Sequence, residues 1–262
     1  MITVKLGTRG EDVGLLSELL GLPRVTVASE DLIQAVKDFQ SISGLVSDGI
    51  AGWKTWKALI IAVQERQRPG KEWEFKMLAG LIGVEPEVLM AVQKVETGGL
   101  GGFLKDSGRP RILFEGHVFW KYLVQEKKDP NKYLPRYSDV LYKKWTKSMY
   151  VGGEGEWTRL EKAMEISESS AIMSASWGMF QIMGGNYSLC GCKDVWEFKE
   201  LMGKDEFSQM ILAVEFIKNR KLVPALVSKR WAEFAKGYNG AEYYKNNYDT
   251  KLKSAYLSFK KR

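Results

Sequence analysis

A polar stretch that ends in Pro69-Gly70 divides this chain of 262 residues into two segments of unequal length. Residues 64–71 contain only Gln, Glu, Arg, Lys, Pro and Gly. Proline followed by glycine interrupts a helix, because proline lacks a backbone N–H and glycine favours turns. Apolar residues recur at helical spacing on both sides of this break. We therefore predict two modules, residues 1–63 and 74–262, joined by a linker over residues 64–73.

The shorter segment has the apolar pattern of three short helices. Leu32, Val36 and Phe39 follow one another at i, i+4 and i+7, which places them on one helix face. A third helix is predicted over residues 52–62, and we expect Phe39 and Trp56 to fill much of a small core. Other members of the pattern are Val13, Leu16, Leu19 and Leu20 in the first helix, with turns at Gly44-Leu45 and Asp48-Gly49.

The longer segment is also mostly helical. A glycine-rich run over residues 98–111 predicts a loop or hairpin, and Ile112-Leu113-Phe114 is suited to a short strand or a buried turn. The fold class is therefore mostly α, with a minor β hairpin in the larger module. Residues 126–156 have no readable periodicity. Helices are predicted at residues 75–82, 86–96, 116–125, 157–175, 195–199, 206–220, 222–229, 231–238 and 248–260.

The net charge of +7 is unevenly distributed. Residues 1–66 contain seven Lys or Arg and eight Asp or Glu, so this part is near −1 and the rest of the chain carries +8. A basic module attracts anionic partners such as nucleic acid, lipopolysaccharide phosphates or cell-wall polymer. No helix-turn-helix, zinc or RNA-binding signature accompanies the charge, so we predict no nucleic-acid partner. The basic C-terminal residues also fit a solvated helix face.

Histidine, cysteine and hydropathy patterns argue against other classes. His117 is the only histidine, so no metal site is predicted. No other cofactor is expected. A single residue separates Cys190 from Cys192, and a disulfide across so short a loop would be strained. We therefore expect free thiols in a protein made in a reducing compartment. The first residues lack the apolar stretch of a signal peptide, and the best apolar run, residues 58–63, is too short to cross a membrane. Synthesis in the cytoplasm is therefore expected.

One carboxylate is a strong candidate for a catalytic acid. Glu96 ends an apolar helical run and is followed by Gly98-Gly99. Hydrophobic neighbours disfavour the charged form of a carboxyl, so its pKa rises and it can hold a proton near neutral pH. In an arbitrary protein a helix-terminal Glu is more often a solvated surface residue. Three later segments favour catalysis here.

Two of these segments carry polar groups in apolar surroundings. Gln181 is the one amide in the run Ser176-Trp177-Gly178-Met179-Phe180-Gln181-Ile182-Met183, and a buried amide needs partners at both ends. It is suited either to bonding an N-acetyl group or hydroxyl of a sugar, or to holding the backbone in the core. Tyr238 and Asn239 precede Gly240 at a helix end, where the tyrosine also fits an ordinary core position.

The third segment brings a second carboxylate close to a basic pair. Glu115 follows Arg109 and Arg111 after a short apolar run. A second catalytic carboxyl and a structural ion pair both fit this spacing, and the ion pair is preferred. His117 is predicted to be structural, and Asp106 is the other carboxylate nearby.

An ordered series of short motifs runs through residues 1–63. Its members are Leu6-Gly7-Thr8-Arg9-Gly10-Glu11-Asp12-Val13, Leu16, Leu19-Leu20-Gly21, Ala35-Val36-Lys37-Asp38-Phe39-Gln40, Gly44-Leu45, Asp48-Gly49-Ile50-Ala51-Gly52 and Thr55-Trp56. This series resembles a peptidoglycan-binding domain of the small three-helix type. The resemblance implies that the module binds the bacterial cell wall, without identifying the contact residues. Trp53 is a departure, since the family often has proline there.

A second series covers roughly residues 75–260. Its members are Val95-Glu96-Thr97-Gly98-Gly99, Arg109-Pro110-Arg111-Ile112-Leu113-Phe114-Glu115-Gly116-His117-Val118-Phe119, Ala175-Ser176-Trp177-Gly178-Met179-Phe180-Gln181-Ile182-Met183-Gly184, Gly237-Tyr238-Asn239-Gly240 and Tyr248-Asp249-Thr250-Lys251-Leu252. These blocks resemble the phage N-acetylmuramidase domain, a lysozyme-like glycosidase found in modular endolysins. Lytic transglycosylases and goose-type lysozymes are similar at a greater distance.

The second resemblance implies a role for each candidate residue. Glu96 would be the general acid that protonates the departing oxygen. The second group that such cleavage uses would be Glu115 or Asp106, or would be absent. Tyr238 would orient Glu96 or contact sugar. The predicted substrate-binding residues are Gly178, Gln181, Ile182, Tyr238 and Asn239.

We therefore predict a monomeric endolysin that cleaves the β-1,4 bond between N-acetylmuramic acid and N-acetylglucosamine in peptidoglycan, causing host lysis. A lytic transglycosylase acting on the same bond and a catalytically inactive wall-binding protein are the alternatives. Anionic outer-membrane or wall polymers are further candidate partners. The family resemblance implies that the protein, made in the host cytoplasm without a signal peptide, reaches the wall through holin-like membrane lesions.

Overall fold

The computed structural model describes residues 1–261 and is 61% helical, which confirms the predicted class. Within these residues fourteen α-helices accompany one three-stranded antiparallel sheet. The chain forms two compact units, Met1–Pro86 and a larger one that begins at Glu87. No helix in the described part of the chain is long and apolar enough to span a membrane.

The first unit contains four helices. Their bounds are Glu11–Leu19 for α1, Glu30–Ile42 for α2, Trp53–Gln67 for α3 and Lys71–Leu81 for α4. Helix α1 has Glu11 and Asp12 in its first turn, where carboxylates interact favourably with the positive end of the helix dipole. Helix α2 begins after Ser29, whose Oγ accepts a hydrogen bond from the Leu32 N–H over 3.4 Å and so caps the helix.

Helix α2 places Gln40, and not Phe39, in the centre of the first unit. Leu32, Val36 and Gln40 are fully buried, whereas Phe39 is partly exposed. The burial of Gln40 is tolerated because both ends of its side-chain amide are hydrogen-bonded. The prediction that Phe39 fills the core is therefore wrong, while Trp56 is buried as predicted.

Helix α3 continues through much of the segment predicted to be a linker. Residues 64–67 continue the helix as far as Gln67 because glutamine, glutamate and arginine are good helix formers. The break is confined to three residues: Arg68 has a left-handed φ of 47°, and Gly70 has a φ of 94°. Since α4 begins at Lys71, most of residues 64–73 is helical. The functional boundaries at residues 63 and 74 remain a prediction.

The second unit contains ten α-helices among its described residues. The most buried of them is α11 (Glu206–Asn219), in which ten of the fourteen residues are buried. The helix bounds are Pro86–Thr97 for α5, Gly116–Gln125 for α6, Leu134–Tyr137 for α7, Glu154–Met164 for α8, Glu168–Met173 for α9, Val195–Lys204 for α10, Glu206–Asn219 for α11, Val223–Val227 for α12, Trp231–Asn239 for α13 and Tyr248–Lys260 for α14.

The sheet has the strand order β1-β2-β3, and both pairings are antiparallel. The strands are Ile112–Phe114 for β1, Ala175–Trp177 for β2 and Ile182–Met183 for β3. Leu113 pairs with Ser176 at the centre of the first ladder. On the other face the buried Trp177 packs edge-on against Trp157 and Phe198, with ring centroids 5.5 and 6.4 Å apart. These aromatic contacts attach one face of the sheet to the core.

Most predicted helices are present at or near their expected bounds, and those over Gly116–Gln125 and Tyr248–Lys260 coincide. The helix predicted over residues 157–175 is instead two helices, α8 and α9, followed by β2. Ser167 causes the interruption: its Oγ accepts a hydrogen bond from the Ser170 N–H over 3.4 Å and caps α9.

Candidate active site

Glu96 is the penultimate residue of α5 and lies just before Gly98 and Gly99, which both have a positive φ. Its half-buried carboxyl accepts one hydrogen bond, from Nδ2 of Asn239 to Oε1 over 3.0 Å. Desolvation by burial raises the pKa of Glu96 to about 7, and the Asn239 hydrogen bond opposes this increase. A large fraction of the molecules therefore holds the acidic proton at neutral pH.

Tyr238 attaches the end of α13 to the segment that follows β2. Its hydroxyl donates to the carbonyl oxygen of Phe180 over 2.8 Å, and its ring stacks on Phe234 with centroids 5.3 Å apart. Burial, with the charge of Glu96 as a further cause, raises the pKa of Tyr238 well above its usual value, so the phenol stays a neutral donor. The hydrogen bond to Glu96 thus comes from Asn239, and any orienting effect of Tyr238 is indirect.

Gln181 is bonded within its own segment. Its backbone is left-handed, with a φ of 47°. Its Oε1 accepts from the Ser176 hydroxyl and its Nε2 donates to the carbonyl oxygen of Gly178, both over 2.9 Å. This is the backbone-holding arrangement of the two that the sequence allowed. Gly178 and Ile182 are buried, and contact of this segment with sugar remains a prediction.

Gln209 on α11 is hydrogen-bonded to the backbone of the segment over residues 178–181. No separate prediction for this residue came from the sequence. Its Oε1 accepts from the N–H of Met179 over 2.8 Å. Gly178 has a φ of +70°, and a Cβ there would lie 2.7 Å from the Gln209 amide, so only glycine fits. One turn earlier, Glu206 accepts from the N–H of Gly102 over 2.6 Å and fixes the loop after α5. A glutamine among the apolar positions of a buried helix was the available signal.

Glu115 follows β1 and is hydrogen-bonded to Tyr150, which in turn contacts Trp145. Its Oε2 accepts from the Tyr150 hydroxyl over 2.6 Å, and that hydroxyl accepts from Nε1 of Trp145 over 2.7 Å. Burial raises the pKa of Glu115, while the Tyr150 hydrogen bond and the charge of Arg159 oppose the increase. The sequence did not reveal Tyr150 because residues 126–156 lack any periodic pattern.

The ion pair preferred for Glu115 is not formed. Arg109 pairs with Glu161 over 2.8 Å, and Arg111 donates from Nε to a backbone carbonyl over 3.0 Å. Nδ1 of His117 lies 3.3 Å from Oε2 of Glu115. Burial lowers the pKa of His117, so its ring is neutral at pH 7 and this contact is not an ion pair either.

Glu156 fixes the position of Tyr150 relative to Glu115. One of its oxygens accepts from the N–H of Phe114 over 3.0 Å, and the other accepts from the N–H of Val151 over 2.8 Å. These two backbone groups are the sequence neighbours of Glu115 and Tyr150. A fully buried carboxylate therefore joins the strand to the end of the segment whose periodicity could not be read.

Glu115 and Gln181 are both attached to the sheet from positions just outside its strands. Glu115 follows β1 directly, and its N–H donates to the carbonyl oxygen of Ser174 over 2.9 Å. Gln181 precedes β3 and accepts from the hydroxyl of Ser176, which pairs with Leu113. Among the hydrogen bonds of residues 1–261 none joins Glu115 to Glu96.

Asp106 lies in the loop between α5 and β1. It is exposed at the tip of a turn closed by a bridge between Phe103 and Pro110, which agrees with the predicted loop or hairpin. Within the described residues its carboxylate has neither a hydrogen bond nor an ion pair. Its place as the alternative second carboxylate stays a prediction.

The fold and the site define a helical, lysozyme-like protein with one half-buried acid at a helix end. Residues 85–260 match the family model described as N-acetylmuramidase, and residues 14–59 match a putative peptidoglycan binding domain. The crystal structure of the Burkholderia AP3 phage endolysin is similar to the chain over 100% of both proteins, with 35% sequence identity and a TM-score of 0.66. No curated protein matches the chain.

The chain therefore belongs to the N-acetylmuramidase family, because that match covers more than half of its residues. It is a modular endolysin with an N-terminal peptidoglycan-binding domain and a C-terminal muramidase domain. As a glycoside hydrolase it cleaves peptidoglycan, which is also the polymer that it binds.

Proposed function

We propose that this endolysin hydrolyses the β-1,4 bond between N-acetylmuramic acid and N-acetylglucosamine, with Glu96 as the general acid. The observation that carries the proposal is the environment of Glu96. Its carboxyl is half-buried, has one hydrogen-bond donor and has a pKa raised to about 7. An acid with this pKa is protonated often enough to donate at neutral pH and yields a carboxylate that can accept a proton afterwards.

The hydrogen bond from Asn239 supports both stages of this reaction. Protonation of the leaving oxygen turns Glu96 into a carboxylate, which the Nδ2 donor then stabilises. The same carboxylate can next remove a proton from the water that attacks the sugar. Within residues 1–261 the buried Oδ1 of Asn239 has no hydrogen-bond partner. We assign it to accept the N–H of an N-acetyl group, which keeps Asn239 in the substrate-binding set.

Glu115 is the proposed second carboxylate. It is mostly buried, and its Oε2 accepts a short hydrogen bond from Tyr150. In its charged form it would stabilise an oxocarbenium-like centre while the Glu96 carboxylate activates the water. Because its side chain is engaged by Tyr150, the direction of its carboxylate is set before substrate binds.

The remaining substrate-binding residues act on the shape of the cleft. Gly178 and Ile182 are buried, so we expect them to fix the backbone that presents Gln181 rather than to touch sugar themselves. Tyr238 fixes the same backbone from the other side through Phe180. Direct contact with sugar then comes from Asn239 and from the exposed part of Gln181.

Replacement of the acid tests the proposal. Glu96→Gln keeps the shape of the side chain and loses the proton, so turnover of purified peptidoglycan should fall by about 10² to 10⁴-fold. Glu87→Gln on the same helix is the matched control and should retain activity. Mass spectrometry of the released fragments should find reducing ends; anhydro ends would instead identify a lytic transglycosylase. A folded Glu96→Gln protein with wild-type turnover would contradict the assignment.

The N-terminal module would attach the enzyme to the cell wall. Attachment through the N-terminal module raises the local concentration of the catalytic module at an insoluble polymer. We propose that a monomer passes from the host cytoplasm to the wall through holin-like lesions. The positive charge of the larger segment would favour anionic wall or outer-membrane polymers on the way.

A further inference from the structure

We infer that a groove in the first unit binds the stem peptide of peptidoglycan rather than its glycan chain. The groove is formed by the end of α2, the loop over residues 44–52 and the start of α3. It lies in the part of the chain that matches a peptidoglycan binding domain, and the inference rests on that wall-binding function.

The size of the groove suits a short peptide. Its volume is about 440 Å³, within the range of roughly 300 to 1,000 Å³ that is usual for small-ligand sites. Its lining residues all belong to the first unit. The side chains that line the groove include both apolar and charged ones.

A buried glutamine organises the floor of the groove. Gln40 is 2% exposed, and its Nε2 donates to Oδ1 of Asp48, to the carbonyl oxygen of Ile50 and to Oγ1 of Thr55 over 3.0, 3.1 and 3.0 Å. Its Oε1 accepts from the N–H of Gly49 over 2.9 Å. One side chain thus connects three parts of the lining, so little conformational entropy is left to lose on binding.

The turn at residues 48–50 is fixed by glycine geometry as well. Gly49 has a φ of +74°, and a Cβ there would lie 2.7 Å from the Ile33 side chain. The N–H of Ile50 donates to Oδ1 of Asp48 over 2.8 Å. Oδ1 is thereby engaged twice, whereas Oδ2 has no hydrogen bond within residues 1–261. One carboxylate oxygen therefore remains for a ligand.

The charges around the groove are of opposite sign. The hydrogen bond from Ile50, followed by that from Gln40, lowers the pKa of Asp48, so this side chain is anionic at neutral pH. Lys54 is exposed and, in the part of the chain that the structure describes, has no ion pair. Ile50 and Val46 add apolar surface and are 42% and 80% exposed.

This combination matches the stem peptide better than the sugar chain. The peptide carries a free ammonium on its diamino acid, terminal carboxylates and alanine methyl groups. Asp48 can pair with the ammonium and Lys54 with a carboxylate, while Ile50 and Val46 cover the methyl groups. The glycan backbone offers hydroxyl and acetamido groups and has no cation for Asp48. An anionic and a cationic residue in one apolar groove thus favour a zwitterionic peptide.

An NMR titration of the full chain tests the inference. The protein carries Glu96→Gln to prevent turnover, and the probe is the tripeptide L-alanyl-γ-D-glutamyl-meso-diaminopimelate. Amide shifts should concentrate in residues 40–55. Asp48→Asn keeps the acceptor for Gln40 but loses the charge, and we expect it to raise the Kd about two- to fivefold, as should Lys54→Met. Lys5→Met, an exposed lysine of the same unit outside the groove, should leave the Kd unchanged.

The outcomes separate this inference from the proposed function. Equal Kd values for wild type and both groove variants would overturn it, as would shifts in residues 40–55 caused by a disaccharide without peptide but not by the tripeptide. Hydrolysis of soluble peptidoglycan fragments is measured separately with the chain that keeps Glu96. If that chain binds the tripeptide but does not hydrolyse the fragments, only the catalytic proposal is contradicted.

Discussion

Asn239 donates from Nδ2 to Oε1 of Glu96 over 3.0 Å, although the two residues are 143 positions apart in the sequence. The donor is the last residue of α13, and the acceptor lies one residue before the end of α5. Two helix ends therefore set the geometry of the acid. Gly240, with a φ of 89°, ends α13 immediately after the donor.

Replacing Asn239 by leucine should raise the pKa of Glu96. The variant loses the donor that stabilises the carboxylate, and its apolar side chain desolvates the acid further. A general acid is active while protonated, so the alkaline limb of the kcat/KM profile should move to higher pH by about half a unit to one unit. Asn246→Leu, an exposed asparagine, is the control. An alkaline limb that stays in place would contradict the assigned contact.

The raised pKa of Glu96 also predicts how stability changes with pH. Between the ordinary value of 4.5 and about 7 the folded state binds the proton more tightly than the unfolded state, so this contribution is present below pH 4.5 and is lost as the pH rises through 7. The loss is on the order of 3 kcal/mol at most. Glu96→Gln has no such term. The melting temperature of Glu96→Gln minus that of wild type should therefore be several degrees larger at pH 8 than at pH 4. An equal difference at the two pH values would argue against burial of the charge.

The helices could be predicted because their signals are local. Apolar spacing gives α6 and α14 their bounds, and the position of Glu96 before two glycines is visible without any tertiary information. The resemblance implied that Tyr238, and not Asn239, would orient Glu96, and no local pattern specifies which helix ends meet. The same limit applies to Gln209, whose role depends on the close approach of Gly178.

The errors of sequence reasoning have a common physical cause. Phe39 was expected in the core by its hydrophobicity, yet Gln40 occupies that place because four hydrogen bonds satisfy its amide. Glu115 was expected beside Arg109 because the two are close in sequence, yet its partner is Tyr150, 35 positions away. Side-chain networks of this kind are decided by the fold and leave little trace in the spacing of residues.

Tyr150→Phe tests the proposed role of Glu115. The variant loses the donor to Oε2, so the pKa of Glu115 should rise further and the charged form should become rarer. If the carboxylate takes part in the reaction, the acidic limb of the kcat/KM profile should move to higher pH. Tyr133→Phe is the control. An acidic limb in its wild-type position would show that Glu115 does not act as a carboxylate.

Glu115→Gln separates catalysis from structure at the same position. A catalytic carboxylate predicts a large fall in kcat with nearly the same melting temperature, because glutamine keeps the acceptor for Tyr150. A structural role predicts the opposite: a clear loss of melting temperature with nearly unchanged specific activity in the folded fraction. Circular dichroism and a turbidity assay on the same preparation distinguish the two results.

Glu126 should contribute to stability at neutral pH and lose that contribution in acid. Burial alone would raise its pKa, but hydrogen bonds from Ser170, Lys128 and Ser167 outweigh burial and lower the pKa to about 2. A carboxyl whose folded pKa is depressed stabilises the fold above its ordinary value of 4.5, and the effect disappears as the pH falls through 2. After allowance for solvent screening we expect Glu126→Gln to cost about 1 to 2 kcal/mol at pH 7.

The measurement is the difference in unfolding free energy between wild type and Glu126→Gln across pH. The carboxylate joins the end of α6 to the first turn of α9, so its loss should loosen the capped restart at Ser167. The difference should shrink steadily between pH 4.5 and pH 2. Glu154→Gln, an exposed glutamate at the start of α8, should show no such trend. A difference for Glu126→Gln that is constant over this range would mean that shape, and not charge, holds the two helices together.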